Sequence, residues 1–327
     1  MPRLLPNETL RLLVKVSKLY YEDGLNQDEI LARLNLSRSK VSRLLHQARQ
    51  EGIVQISIVS PPRLFANLES RLESRFGLYE ALVVESHPGD SQETVSRIIG
   101  AAAADYLARA LREKMTIGVS WGSTLKNMTE ALAPQQLPDV QVVQIIGGLG
   151  LPEAEVHATE LCRRMARALN CRLTLLPAPG IVASRAACQA LLADSYIQRA
   201  VEMFSRLDLA LVGVGAPTPH SVVLRDSAII NPAELADLLQ RGAVGDIALR
   251  FFDRQGRPVR GEMDERIIGI RLEQLQRVPR VVGVSGGPEK FAALHGALHG
   301  KLINVLITDS LSAQKLLDSD RQEGDPR

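Results

Sequence analysis

Cysteine is scarce in this chain. Cys162, Cys171 and Cys188 are the only three in 327 residues and form no CxxC pair, so the odd count argues against a disulfide framework and a structural zinc site. A reducing cytoplasm is the compartment to expect. No uninterrupted apolar run approaches the ~20 residues of a membrane span, and the stretch MPRLLPNETL lacks the apolar core of a signal peptide. No membrane partner is expected. Net charge is also nearly absent, at +2, yet it is unevenly placed: residues 1–60 carry nine Lys or Arg against six Asp or Glu. Only the head therefore calls for a polyanion, while the near-neutral remainder suits a small ligand or another copy of itself.

Diagnostic catalytic and cofactor patterns are missing as well. No Gly-Lys-Ser/Thr marks a nucleotide-binding loop, and Gly213-Val-Gly215-Ala-Pro is too short for a dinucleotide fingerprint. No cofactor is expected. Asp246, Asp208 and Glu153 are carboxylates with no diagnostic pairing, and His295 and His299, four apart, have no third metal ligand in view.

What is present is a two-helix signal from Asn26 to Gly52. Asn26 and Glu29 have the spacing of a capping box, and Ile30, Leu31 and Leu34 give the first helix one apolar face. Asn35 tolerates a left-handed turn, and Ser37 caps a second helix in which Val41, Leu44, Leu45 and Ala48 recur at helical spacing. Ser39, Arg43, His46 and Gln50 then face the other way, flanked by Arg38, Lys40, Ser42 and Arg49. Between Arg33 and Arg49 there is no Asp or Glu, so a duplex would attract this face through its phosphates. An earlier helix from Asn7 to about Glu22 completes a three-helix core, and IVQISIV after Gly52 predicts a strand before Pro61 and Pro62. The domain boundary is placed there: residues 1–60, then 61–317, with a tail of 318–327 expected to be disordered.

Leu64, Leu68, Leu72 and Phe76 predict an amphipathic helix opening the larger domain. Beyond it, Val/Ile/Leu-rich strands from Ala81, Thr116, Val140, Leu173, Leu209, Val281 and Ile303 alternate with helical patterns. The fold class is α/β: a small all-α head followed by a doubly wound, mostly parallel sheet covered on both faces. DIALRFFDRQGRPV reads as a hairpin turning at Gln255 and Gly256, followed by IIGIRL. In Gly118-Val-Ser-Trp-Gly-Ser-Thr124 a strand gives way to a helix, and Gly122, Ser123 and Thr124 outline an anion cradle, or else a plain turn with Ser123 as its cap. The loops Gly147–Gly150 and Ser285–Lys290 open toward the same sheet edge, and Lys290 stands in a first helical turn, where a cation needs a reason to be.

YYEDGLNQDEILARLNLSRSKVSRLLHQARQEGIVQISI resembles the N-terminal module of the SorC family of bacterial sugar-responsive transcription regulators. GVSWGSTL, VVQIIGGLG, LLPAPGIV, AVGDI, GGPEK and NVLITD extend the resemblance to its effector domain, which is itself similar to sugar-phosphate isomerases and deaminases. The resemblance implies a helix-turn-helix placing Arg38, Ser39, Lys40, Ser42, Arg43 and His46 against operator DNA. It also implies a sugar or sugar phosphate held by Gly122, Ser123, Thr124, Gly147, Gly148, Asp246, Arg250 and Lys290, and a homotetramer. A sugar-phosphate isomerase or deaminase with an accessory head is the rival expectation, and a ligand-free oligomerisation platform the third.

Overall fold

A computed structural model describes residues 7–56, 61, 64–148, 158–218 and 230–319. The chain divides into two compact units, Met1–Pro61 and Pro62–Arg327. In the first, α1 (Asn7–Tyr21), α2 (Gln27–Leu34) and α3 (Arg38–Gln50) bury Leu13, Val16, Ile30, Val41, Leu44, Leu45 and Ala48 together. The caps are local chemistry made visible. Asn26 accepts from the Glu29 amide at 3.0 Å while Glu29 accepts from the Asn26 amide at 2.7 Å. Asn35 takes φ 51°, which turns the chain, and Ser37 caps α3. Residues 53–56 carry no strand, contrary to the reading of IVQISIV, whose last residues 57–59 lie outside the described residues.

In the second unit, α4 (Ala66–Phe76) packs its buried Leu72 and half-buried Leu68 and Phe76 against the core, while Leu64 lies outside the helix and is exposed. The strands β1 (Glu80–Val84), β2 (Thr116–Val119), β3 (Gln141–Gln144), β4 (Arg172–Thr174), β5 (Leu209–Val212), β8 (Arg280–Val284) and β9 (Val305–Asp309) form one parallel sheet in the order β1-β9-β8-β5-β2-β3-β4. These are the seven strands read from the sequence. Alternation along them feeds two cores: Ile117, Val119, Leu209 and Leu211 point into one, and Val143, Ala210, Val212 and Val281 into the other. At the β1 edge, Glu73 and Glu69 of α4 accept from the amides of Ala81 and Val83, both at 2.9 Å, which blunts an otherwise open strand.

Between β5 and β8 lies the antiparallel pair β6 (Gly245–Ile247) and β7 (Arg250–Phe252). Its turn is at Ala248 and Leu249, both with positive φ, and not at Gln255 and Gly256. A second turn does occur there, where the Asp253 amide donates to Arg257 O and Phe252 bridges to Pro258. IIGIRL makes only isolated bridges, Ile267 to Ile181 and Gly269 to Ile146. Asp318 ends the last helix, Ser310–Asp318, and residues 320–327 of the expected tail lie outside the described residues.

Candidate effector cavity and DNA face

Strand order turns back between β2 and β5: the chain runs outward from β2 through β3 to β4, then returns to lay β5 on the other side of β2. Crossovers then leave in opposite directions, opening a crevice at the carboxyl ends of the strands. A cavity of about 240 Å³ occupies that place. Trp121 to Leu125 follow β2 into it, Gly213 to Gly215 follow β5, and Ser285, Gly286, Glu289 and Lys290 follow β8.

α5 (Gln92–Ala110) and α6 (Ser123–Ala131) bound the cavity. Gly122, not Ser123, is the N-cap of α6. Its φ of 136° is a backbone angle that suits glycine, and it brings no side-chain acceptor. The first-turn amides of α6 therefore lack a side-chain cap, and no acidic residue stands in that turn. Such donors at the positive end of a helix favour an anion or hydroxyl oxygens. Thr124 Oγ1 shares a 3.1 Å hydrogen bond with Ser96 of α5.

Opposite them stands Asp246, 4% exposed. It exchanges two backbone hydrogen bonds with Gly215, of 2.8 and 3.1 Å, and its Oδ2 accepts from the Leu249 amide at 3.2 Å, holding the tight turn. Burial raises its carboxyl to about 6, against the lowering influence of Lys290 and of the Leu249 amide. Lys290 is the N-cap of the helix Phe291–His299, and burial lowers its ammonium while Asp246 and Glu289 hold it up. Glu289 accepts from the Thr218 hydroxyl at 3.2 Å.

Gly122, Ser123, Thr124, Asp246 and Lys290, distant in sequence, thus line one cavity. Gly147 and Gly148 do not. Gly147 lies against the backbone of Ala178 and Pro179, where a Cβ would have no room, and Gly148 bridges to Pro179. Arg250 is also elsewhere, directed into its own fold. Its guanidinium donates to Asp264 O and Oδ1 at 2.7 and 2.8 Å and to the carbonyls of Ile267, Gly269 and Ile270, at 5% exposure. The sequence reading passed over Gln92 and Ser96 of α5, together with Thr218 and Glu289. A signal for the first two existed: in a parallel sheet each strand-to-helix junction opens on the same edge, so the first turns after Ser91 belong there.

Of the rival carboxylates, Asp208 accepts from the Thr116 amide at 2.8 Å at the opposite end of β2, and Glu153 lies outside the described residues. The rings of His295 and His299 stack 4.3 Å apart beside Phe291 and Phe76. No group of three metal-ligating side chains occurs among the described residues.

In the head, Arg38, Ser39, Lys40, Ser42, Arg43 and His46 are all exposed on α3. Arg49 is partly committed, donating to the Tyr21 hydroxyl at 2.8 Å. No helix among the described residues is long and apolar enough to cross a membrane.

Comparison with known proteins gives consistent matches. The Sugar-bind family model, a sugar-binding domain, matches residues 60–318. The chain is 33% identical over 311 residues to the deoxyribonucleoside regulator of Bacillus subtilis, covering 95% of this chain and 98% of that protein. It is 33% identical over 318 residues to the sorbitol operon regulator of Klebsiella pneumoniae, at 95% and 99% coverage. The crystal structure of that full-length regulator, SorC, matches with a TM-score of 0.73 at 32% identity, over 96% of this chain and 100% of that one. These relatives are regulators, which sets the isomerase or deaminase expectation aside. The chain belongs to the SorC family of transcriptional regulators.

Proposed function

We propose that the protein binds operator DNA through a helix-turn-helix formed by α2 and α3, and that a sugar phosphate in the cavity beside Gly122 changes its operator affinity. One observation carries this reading: uncapped amides of α6 and the ammonium of Lys290 face one cavity large enough for a small ligand. Relatives named for sorbitol and for deoxyribonucleosides support a carbohydrate-derived effector. Arg38, Ser39, Lys40, Ser42, Arg43 and His46 form the face that meets DNA, because they are exposed opposite the buried stripe of α3. The protein acts as a cytoplasmic homotetramer, and its light-scattering mass tests that state.

Trp121, the sole tryptophan, lines the cavity and serves as the reporter. Titrating its emission with ribose, fructose and sorbitol and their phosphate esters is expected to give a saturable change for a phosphorylated sugar. The same compound should then shift operator affinity about 5- to 150-fold, the usual range of site-to-site coupling. Emission unchanged by every compound, with operator binding intact, would remove the cavity from this role.

A further inference from the structure

The ionisable side chains around the cavity work against the α6 amides, because two carboxylates outnumber one ammonium there. Lys290 is the cavity's one cation among the described residues, against the carboxylates of Asp246 and Glu289. The other polar side chains on its wall, Gln92, Ser96, Ser123, Thr124, Thr218 and Ser285, carry no charge. Glu289 is exposed and screened by water, whereas Asp246 is buried, so repulsion from Asp246 is the one that solvent relieves least. Gly215 crowds Asp246 so closely that a Cβ there would stand 2.0 Å from Oδ1. The carboxyl group therefore has little room to swing away.

We propose that the cavity takes up a proton when an anionic ligand enters, and that Asp246 is the group that holds it. This rests on the effector reading above. The balance is simple: the carboxylate gains one proton from solvent, becomes a hydrogen-bond donor, and leaves the charge of Lys290 opposed only by the exposed, water-screened Glu289. Free Asp246, with its carboxyl at about 6, is mostly ionised at pH 7. Binding then draws in up to about 0.9 of a proton, and affinity weakens by up to tenfold for each pH unit above 7.

Calorimetric titration of the full-length protein tests this, at pH 7 in buffers of different ionisation enthalpy. The probes are ribose 5-phosphate, fructose 6-phosphate and sorbitol 6-phosphate, with glucose 6-sulfate as an anion that does not titrate. Because a phosphate ester has its own ionisation near pH 6, the informative quantity is the proton uptake of wild type minus that of Asp246→Asn. The expected difference is between about 0.5 and 0.9 of a proton per site. Uptake that is equal in wild type and variant overturns the proposal. If the variant does not bind, wild-type affinity between pH 7 and 8 decides: for a phosphate ester already fully ionised, unchanged affinity overturns proton linkage and about tenfold weakening supports it. Absence of heat from all four probes, with Trp121 emission also unchanged, overturns the effector reading itself, and the proton proposal falls with it.

Discussion

Gly215 and Asp246 are joined by a reciprocal pair of backbone hydrogen bonds, and the absence of a side chain on Gly215 makes room for the Asp246 carboxyl. One residue lies in the segment that follows β5 and the other sits in β6, so the contact ties that part of the cavity wall to β6. Gly215→Ala is expected to cost about 1–3 kcal/mol through overpacking and to weaken the Trp121 response together with it. Chemical denaturation and the fluorescence titration check both. A variant of wild-type stability with an unchanged response would show that this contact is not needed.

Asp246 also sets a pH dependence of stability. Its folded carboxyl lies at about 6 against an ordinary value of 3.8. The unfolded state thus ionises first, and stability falls as pH rises from about 4 to about 6, with the full cost present above that window. Asp246→Asn is expected to be more stable than wild type at pH 7 by on the order of 2–3 kcal/mol, and equal to it near pH 3. Urea denaturation of both proteins at the two pH values measures the difference.

Arg250 and Lys290 should separate cleanly on mutation. Arg250→Ala leaves Asp264 and several buried carbonyls without their donor, which is expected to cost about 3 kcal/mol or more of stability. Lys290→Ala removes a charge facing the cavity, and ligand binding is expected to weaken at least tenfold with a smaller change in unfolding midpoint. Thermal melts and Trp121 titrations of both variants would reveal any reversal of these roles.

Arg43 and Arg49, six residues apart on α3, should differ in their effect on DNA. Arg43 is exposed on the outer face, whereas Arg49 is tied to Tyr21 of α1. Arg43→Ala is expected to weaken operator binding by ~1–3 kcal/mol if it reads a base, or to reduce the salt slope by about 1 if it meets a phosphate. Arg49→Ala should chiefly loosen the α1–α3 packing, by up to about 1 kcal/mol. Fluorescence anisotropy with labelled operator at several salt concentrations, beside a thermal melt, distinguishes the two.

Caps, turns and strands were legible because their causes are local. Asn26 finds Glu29 three residues away, Asn35 turns left-handed, and seven runs of Val, Ile and Leu become seven parallel strands. The hairpin turn was not, because Ala248 and Leu249 give no turn signal; Asp246 holds a conformation their own propensities disfavour. The IVQISIV stretch has β propensity, but residues 53–56 find no pairing partner among the described residues, and propensity without a neighbour makes no strand.

Sequence alone determined the two-unit plan, the exposed basic face of α3 and the loops that meet at the sheet edge, since each follows from periodicity or spacing within a few residues. Tertiary structure decided which of those loops share a cavity. It brought Ser96 to Thr124 and Gln92 to the Gly286 carbonyl, and it set Lys290 and Asp246 on one cavity. It turned Arg250 away toward carbonyls 14 to 20 residues further on. Strand order and side-chain competition for buried partners govern these placements, and both are properties of the assembled core.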